Sequence, residues 1–317
     1  MAERLLDLGG IERAAQRLVG TVLRTPLVAM GTPPVLLKAE NLQPGGSFKL
    51  RGALNTLLQL DPGQLRRGVV AHSSGNHAIA VALASTMVGT RATVVMPNDA
   101  PRTKLDTAAA LGAQVVVVGP DSSERAARAT AIASAEGRTI VEPYDSFDVL
   151  AATATIGREI VEDTPDTDLT VFVPISGGGL AGGVATAVKL ARPDARVVGV
   201  EPELAADALA SWRAGERVEL PVDEMSRTCA DGLRVRVVGE LTWPHLRAHL
   251  DDIITVSEAE IHDAMRRIAF EAHLVAEPSG AVAAAGASKW PTEGVGTVAA
   301  VVSGGNVDAS MLQRAFA

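Results

Sequence analysis

The stretch NLQPGGSFKLRGALN, residues 41 to 55, holds a single lysine, Lys49, next in sequence to Phe48. Pro44, Gly45 and Gly46 form a turn signal just before it, and an apolar helical pattern opens just after it. Most lysines are solvated surface residues. An amine set between an aromatic residue and an apolar helix suits nucleophilic work, above all a Schiff base with a carbonyl compound.

Three Gly/Ser-rich turns carry complementary chemistry. ISGGGLAGG, residues 175 to 183, follows an apolar strand and opens a helix. Glycines there let the backbone approach a ligand, and free N–H groups at a helix start favour an anion such as phosphate. Gly177, Gly179 and Gly182 also fit G-x-G-x-x-G, and Glu201 ends the next strand about 20 residues on, as in a dinucleotide site. The stretch alone leaves open a dinucleotide, another phosphorylated cofactor, or a tight turn without a ligand. HSSGNHA, residues 72 to 78, offers Ser73, Ser74, Gly75 and Asn76 at a helix start. These groups could receive a small carboxylate, or simply cap the helix. SGGNVD, residues 303 to 308, is a further glycine turn past an apolar strand. Phosphate binding, carboxylate binding and a reactive amine together suit a carbonyl cofactor held through Lys49.

The elements that must position these groups follow from the apolar pattern. GVVAHSS, RATVVMP, AQVVVVG and TIVEP read as strands, separated by the helical stretches NHAIAVALASTMV, PRTKLDTAAALG and SSERAARATAIASAEG. Valine-rich strands spaced by helices indicate a parallel sheet covered on both faces. A second series runs through TVFVPI, LAGGVATAVKLA and ARVVGVEP, and resumes near the end with DDIITVS, EAEIHDAMRRIAFEAH and TVAAVVS. Two such series predict two α/β domains with a ligand cleft between them.

The chain has 317 residues, 47% of them apolar, enough for a sizeable core. Its 29 basic and 37 acidic residues give a net charge of −8, which argues against nucleic acid or an anionic membrane as partner. Cys229 is the only cysteine, so no internal disulfide forms and a reducing compartment is expected. The N-terminus lacks the apolar run of a signal peptide, and the long Ala/Val segments are broken by glycines or charges, so a cytoplasmic protein is expected.

SFKLRGA resembles the Schiff-base lysine motif of the fold type II pyridoxal-phosphate enzymes, in the threonine/serine dehydratase and serine racemase branch. SSGNHA, MPNDAPRTK, GGGLAGG, EPSGA and SGGNVD fall in that family's order, and the likeness runs from about residue 10 to residue 310. The resemblance implies two doubly wound α/β domains of the tryptophan synthase β type, with the cofactor in the interdomain cleft. Residues 1–67 and 146–317 would form the large domain and 68–145 a small mobile one. Lys49 would bind pyridoxal phosphate, Phe48 would flank its ring, and Gly177, Gly178, Gly179 and Leu180 would cradle its phosphate. Asn76 would bond the ring hydroxyl and Ser303 the ring nitrogen; Ser73, Ser74, Gly75 and His77 would receive the substrate carboxylate. A serine at the ring nitrogen tempers the electron sink and favours β-elimination over transamination.

The same resemblance implies a Mg²⁺ or Ca²⁺ site in EPELAAD, built from Glu201, the Ala205 carbonyl and Asp207. The expected activity is dehydration of L-threonine, L-serine or a related β-hydroxy amino acid to a 2-oxo acid and ammonia, by a short form without a regulatory domain and as a homodimer. Serine racemisation, with Ser74 opposite Lys49, and 3-hydroxyaspartate dehydration are the alternatives, with a nicotinamide-dependent oxidoreductase a remote one. Arg125, in SSERAAR, would pair with the second carboxylate of a diacid. One departure stands out: the family's Gly-Gln-Gly-Thr run between the domains is Ala152-Thr153-Ala154-Thr155 here, which is expected to alter domain closure or substrate preference.

Overall fold

The valine-rich runs form two separate sheets in the computed structural model, which describes residues 4–73, 75–119, 122–164, 168–290 and 296–316. The first part of the chain runs α1 (Leu8–Leu18), β1 (Leu27–Met30), β2 (Val35–Ala39), α2 (Lys49–Leu57) and α3 (Pro62–Arg67). The small sheet and its helices follow: β3 (Val69–His72), α4 (Asn76–Val88), β4 (Ala92–Pro97), α5 (Arg102–Ala110), β5 (Gln114–Val118), α6 (Ser122–Glu136) and β6 (Thr139–Ile140). Next come α7 (Phe147–Asp163), β7 (Leu169–Pro174), α8 (Gly179–Ala191), β8 (Arg196–Pro202), α9 (Asp207–Ala214) and α10 (Val222–Met225). The chain ends with α11 (Thr242–His249), β9 (Asp252–Val256), α12 (Glu258–Glu271), α13 (Pro278–Ser288), β10 (Thr297–Val302) and α14 (Ala309–Phe316).

The larger sheet has the order β1-β2-β10-β7-β8-β9 and the smaller β5-β4-β3-β6. All pairs are parallel except β1–β2, an antiparallel edge hairpin. Strands β4 and β7 are buried throughout, as parallel strands covered on both faces must be. The two-residue period of a strand sends Phe172 to the core beneath α12 and α13, and Val171 and Val173 to the core beneath α8 and α11. A third core joins α2, α4 and the small sheet, with Leu50, Ala53, Leu54 and Leu57 facing Val69, Ala71 and Val94. Helix α2 therefore lies at the junction of the two sheets. No helix among the described residues is long and apolar enough to cross a membrane.

Two expectations are corrected. The strand expected over TIVEP pairs only over Thr139–Ile140, and Pro143 cannot donate to a ladder. Ala152–Thr155 is not an interdomain connection but the buried interior of α7. Alanine is the strongest helix former, and the Thr155 hydroxyl donates back to the Ala152 carbonyl, so the run extends the helix. Helices α7 and α8 cross closely because Gly157 faces the Val184 carbonyl, where a Cβ would approach to 2.5 Å.

Arg51, two residues past Lys49, is buried with its guanidinium between two carboxylates. Its Nη2 lies 2.8 Å from Glu40 Oε1, and its Nη1 lies 2.7 Å from Glu159 Oε1. Lys38 Nζ reaches Glu159 at 2.7 Å, and the Thr25 hydroxyl donates to Glu40 at 2.6 Å. Burial pushes the Glu40 carboxyl up, but Arg51 more than reverses this and holds it below the ordinary carboxylate range. Two cations and two anions thus close a buried, balanced group. Arg51→Leu leaves both carboxylates with only Lys38, so unfolding in urea should show a loss of about 3–5 kcal/mol. A variant as stable as the parent would mean that water reaches the group.

Candidate active site

Lys49 is the first residue of α2, and the turn before it is fixed from the far end of the chain. Ser47 bridges Gly304, the Phe48 N–H donates to the Ser303 carbonyl at 3.0 Å, and the Gly305 N–H donates to the Gly46 carbonyl at 2.9 Å. Gly46 has φ +75°, and the Asn306 amide fills the space that a side chain would need. The two glycine-bearing turns singled out in the sequence therefore dock on each other and bring Lys49 and Ser303 together. The Ser303 side chain is buried, with its hydroxyl 3.4 Å from the Ser279 carbonyl.

The Lys49 amine donates to the Pro143 carbonyl at 2.6 Å and sits 5.0 Å from the centre of the Phe48 ring. Among the described residues no carboxylate pairs with it. Burial alone lowers its pKa to about 8. The amine lines a tight crevice with Phe48, Gly52, His77, Val149 and Thr153. His77 Nε2 meets the Val141 carbonyl at 2.9 Å. Burial, and then the charge of Lys49, depress the imidazole to about 3, so His77 is neutral. It forms part of the crevice wall and brings no positive charge to a carboxylate. The carbonyls of residues 141 and 143, at the end of the shortened β6, thus hold two side chains of the site.

At the end of β7 the glycine loop leads into α8. Gly178 has φ +88°, a conformation that side chains rarely adopt. A Cβ on Gly177 would strike the Tyr144 ring, one on Gly178 would lie 2.6 Å from Thr242 Oγ1, and one on Gly179 would lie 2.8 Å from the Tyr144 carbonyl. Leu180, in the first turn of α8, is buried. The loop is thus a bare-backbone cradle, suited to an anion at the start of a helix.

The Ser73–His77 turn lies past β3. The Gly75 N–H donates to Ser73 Oγ at 3.0 Å, and Ser74 lies outside the described residues. The Asn76 amide donates to Glu277 and accepts from Asn306 Nδ2 at 3.0 Å. Lys104, on α5 and packed against Gly75, pairs with Asp231 at 2.7 Å and with Glu277 at 3.4 Å. Burial raises the Glu277 carboxyl, Lys104 opposes this, and the net direction is up. Sequence reasoning missed this network. Lys104 and Glu277 fall inside quoted motifs, but nothing in the sequence joins them to Asp231. Arg125 is half-buried on α6, near enough that its charge adds to burial in depressing His72, at the end of β3.

Glu201, next to last in β8, accepts from the Ala208 and Leu209 N–H groups at 3.0 and 2.8 Å. Asp207 opens α9, Ala205 lies between them in sequence, and all three are buried. Burial, together with the charge of Asp207, raises Glu201 well above its ordinary range. Burial raises Asp207 to about 8. Its own N–H and that of Val238 oppose the shift, yet neither carboxylate oxygen has a hydrogen bond of ordinary geometry. No group of three or more His, Cys, Asp or Glu side chains suited to a metal occurs among the described residues. The orphaned Asp207 oxygens nevertheless suit a hard cation.

Residues 19–304 match the family described as "Pyridoxal-phosphate dependent enzyme". The chain is 40% identical to L-threonine ammonia-lyase of Thermotoga maritima, over 98% of this chain and 78% of the relative. It is 38% identical to L-threo-3-hydroxyaspartate ammonia-lyase of a Pseudomonas species, over 93% of this chain and 94% of the relative. The structure of maize serine racemase superposes with a TM-score of 0.91 at 35% identity, covering 99% of this chain and 97% of that one.

A half-buried amine without a counter-charge has a measurable cost. Its pKa is lower in the folded than in the unfolded chain, so the penalty is full below about pH 8 and fades as pH rises towards the ordinary lysine value. In the ligand-free protein at neutral pH, Lys49→Met should therefore raise stability by about 2 kcal/mol, and the gain should shrink at alkaline pH. Denaturant melts at several pH values read this directly. A Lys49→Met variant less stable than the parent at neutral pH would mean that the amine is well solvated.

Proposed function

The chain belongs to the pyridoxal-phosphate dependent enzymes, and from that premise we propose that it is an ammonia-lyase converting small β-hydroxy amino acids to 2-oxo acids. The observation that carries this reading is the half-buried Lys49 amine, without a carboxylate partner among the described residues, beside the Phe48 ring and docked to the turn that bears Ser303. The residues present fit the cofactor. The amine can bond its carbonyl carbon, the bare Gly177–Leu180 loop suits its phosphate, and the neutral Ser303 hydroxyl suits its ring nitrogen. Asn76 keeps one amide proton for the ring hydroxyl beyond the one given to Glu277.

When bound, the cofactor supplies an electron sink that acidifies the α-carbon of an amino acid. Ser73, Ser74 and the backbone of Gly75 receive the substrate carboxylate. Lys49, largely deprotonated above about pH 8, takes the α-proton. Ser303 carries no charge to hold a protonated ring, which limits the sink and favours loss of the β-hydroxyl over amino transfer. Residues 68–145 close over the crevice, and the protein works as a homodimer.

Likeness to both threonine and 3-hydroxyaspartate ammonia-lyases supports a choice made by the second carboxylate. Arg125, near the end of β3, is the cation proposed to read it. A panel of β-hydroxy amino acids assayed for 2-oxo acid should show activity with the parent and none with Lys49→Met. Arg125→Ala should lower kcat/KM for 3-hydroxyaspartate about 100-fold and leave that for threonine within a few-fold. Equal losses on both would remove Arg125 from the site. The likeness to maize serine racemase supports a second reading, in which Ser74 serves the face opposite Lys49; chiral analysis of recovered serine tests it.

Glu201, the Ala205 carbonyl and Asp207 are proposed to hold Mg²⁺ or Ca²⁺, which steadies β8 against α9 and takes no part in the chemistry. Chelator should lower the melting temperature, either cation should restore it, and Asp207→Ala should abolish the response. An unchanged melting curve in the parent would argue for a protonated carboxyl pair instead.

A further inference from the structure

A backbone cradle can turn its N–H groups towards an anion only if its carbonyls turn away and are satisfied elsewhere. In the glycine loop two buried threonines, from two different helices, do this. Thr242, the first residue of α11, donates its hydroxyl to the Gly177 carbonyl at 2.6 Å, and the Gly239 N–H reaches the same carbonyl at 3.1 Å. Thr153, inside α7, has its hydroxyl 2.7 Å from the Gly179 carbonyl. That is closer than the carbonyls of Val149 and Leu150 in its own helix, at 3.0 and 3.1 Å. Both threonines are fully buried.

The surroundings are built around these two bonds. A Cβ on Gly183 would run into the Thr153 hydroxyl, and one on Gly178 would lie 2.6 Å from the Thr242 hydroxyl. The Asp145 carboxylate accepts from the N–H groups of Glu240, Leu241 and Thr242, and so sets the start of α11. Thr153 also lines the Lys49 crevice.

We propose that Thr153 and Thr242 are positioning residues that hold the loop with its N–H groups inward before the cofactor arrives, so that phosphate meets a finished cradle. The proposal rests on the reading of Gly177–Leu180 as the phosphate site. Pyridoxal phosphate and pyridoxal, which differ only in the phosphate, separate the two ideas. Each is titrated into ligand-free protein and followed by visible absorption. The parent should bind pyridoxal phosphate far more tightly than pyridoxal. Thr153→Val and Thr242→Val keep the branched shape and remove the hydroxyl. Each should weaken pyridoxal phosphate about tenfold, roughly the effect of one buried hydrogen bond. Pyridoxal affinity should stay within about twofold. Thr153→Ser and Thr242→Ser should restore the parent preference, and they carry the test if a valine variant does not fold. A parent that binds both compounds alike overturns the phosphate reading, and the proposal with it. A discriminating parent whose valine variants keep their full preference, or lose both compounds equally, overturns the proposal alone.

Discussion

A guanidinium removed from water must be enclosed by carboxylates, and this requirement at Arg51 organises much of the molecule. Glu40 follows β2, Glu159 belongs to α7, and Arg51 belongs to α2. Satisfying the two ion pairs fixes the rotation of α2, since Arg51 must face β2 and α7 while Leu50, Ala53, Leu54 and Leu57 face the third core. Lys49, one residue before Leu50, then points into the crevice. Breaking such a group costs far more than an apolar replacement of the whole group would, so it acts as a constraint on geometry rather than a source of net stability.

The helices around the glycine loop are positioned by small residues rather than by charge. Gly157 and Gly183 let α7 and α8 approach at backbone distance, and Gly280 lets α13 press on the carbonyl of Gly304. Side-chain hydroxyls then lie within reach of carbonyls on neighbouring helices. This is why Ala152–Thr155 is at home inside α7. Ala154 packs with Ala187 of α8, Ala152 joins the core around α2, and Thr153 sits where a hydroxyl can leave its own helix for the next.

The parallel sheets were legible because strands buried on both faces leave unbroken apolar runs, as in β4 and β7, and the edge strand β5 keeps a valine run although it is partly exposed. The β1–β2 hairpin escaped notice because its four- and five-residue strands carry little pattern. The run TIVEP does not reveal that pairing in β6 stops at Ile140. At the site, Lys49, the glycine loop and the SGGNVD turn stood out through glycine and an isolated charge. Their docking on one another is a long-range event that no local pattern encodes. Lys104, Asp231 and Glu277 were invisible for the same reason, since 127 and 173 residues separate the lysine from its partners. The ties of Asn76 to Glu277 and Asn306 belong to the same distant set.

That set has an uneven charge: one lysine meets two carboxylates, all beside the Gly75 turn. With both carboxylates ionised, the set presents a net negative charge to the Gly75 turn. Burial raises the Glu277 carboxyl against the pull of Lys104, the direction that lessens this excess of negative charge.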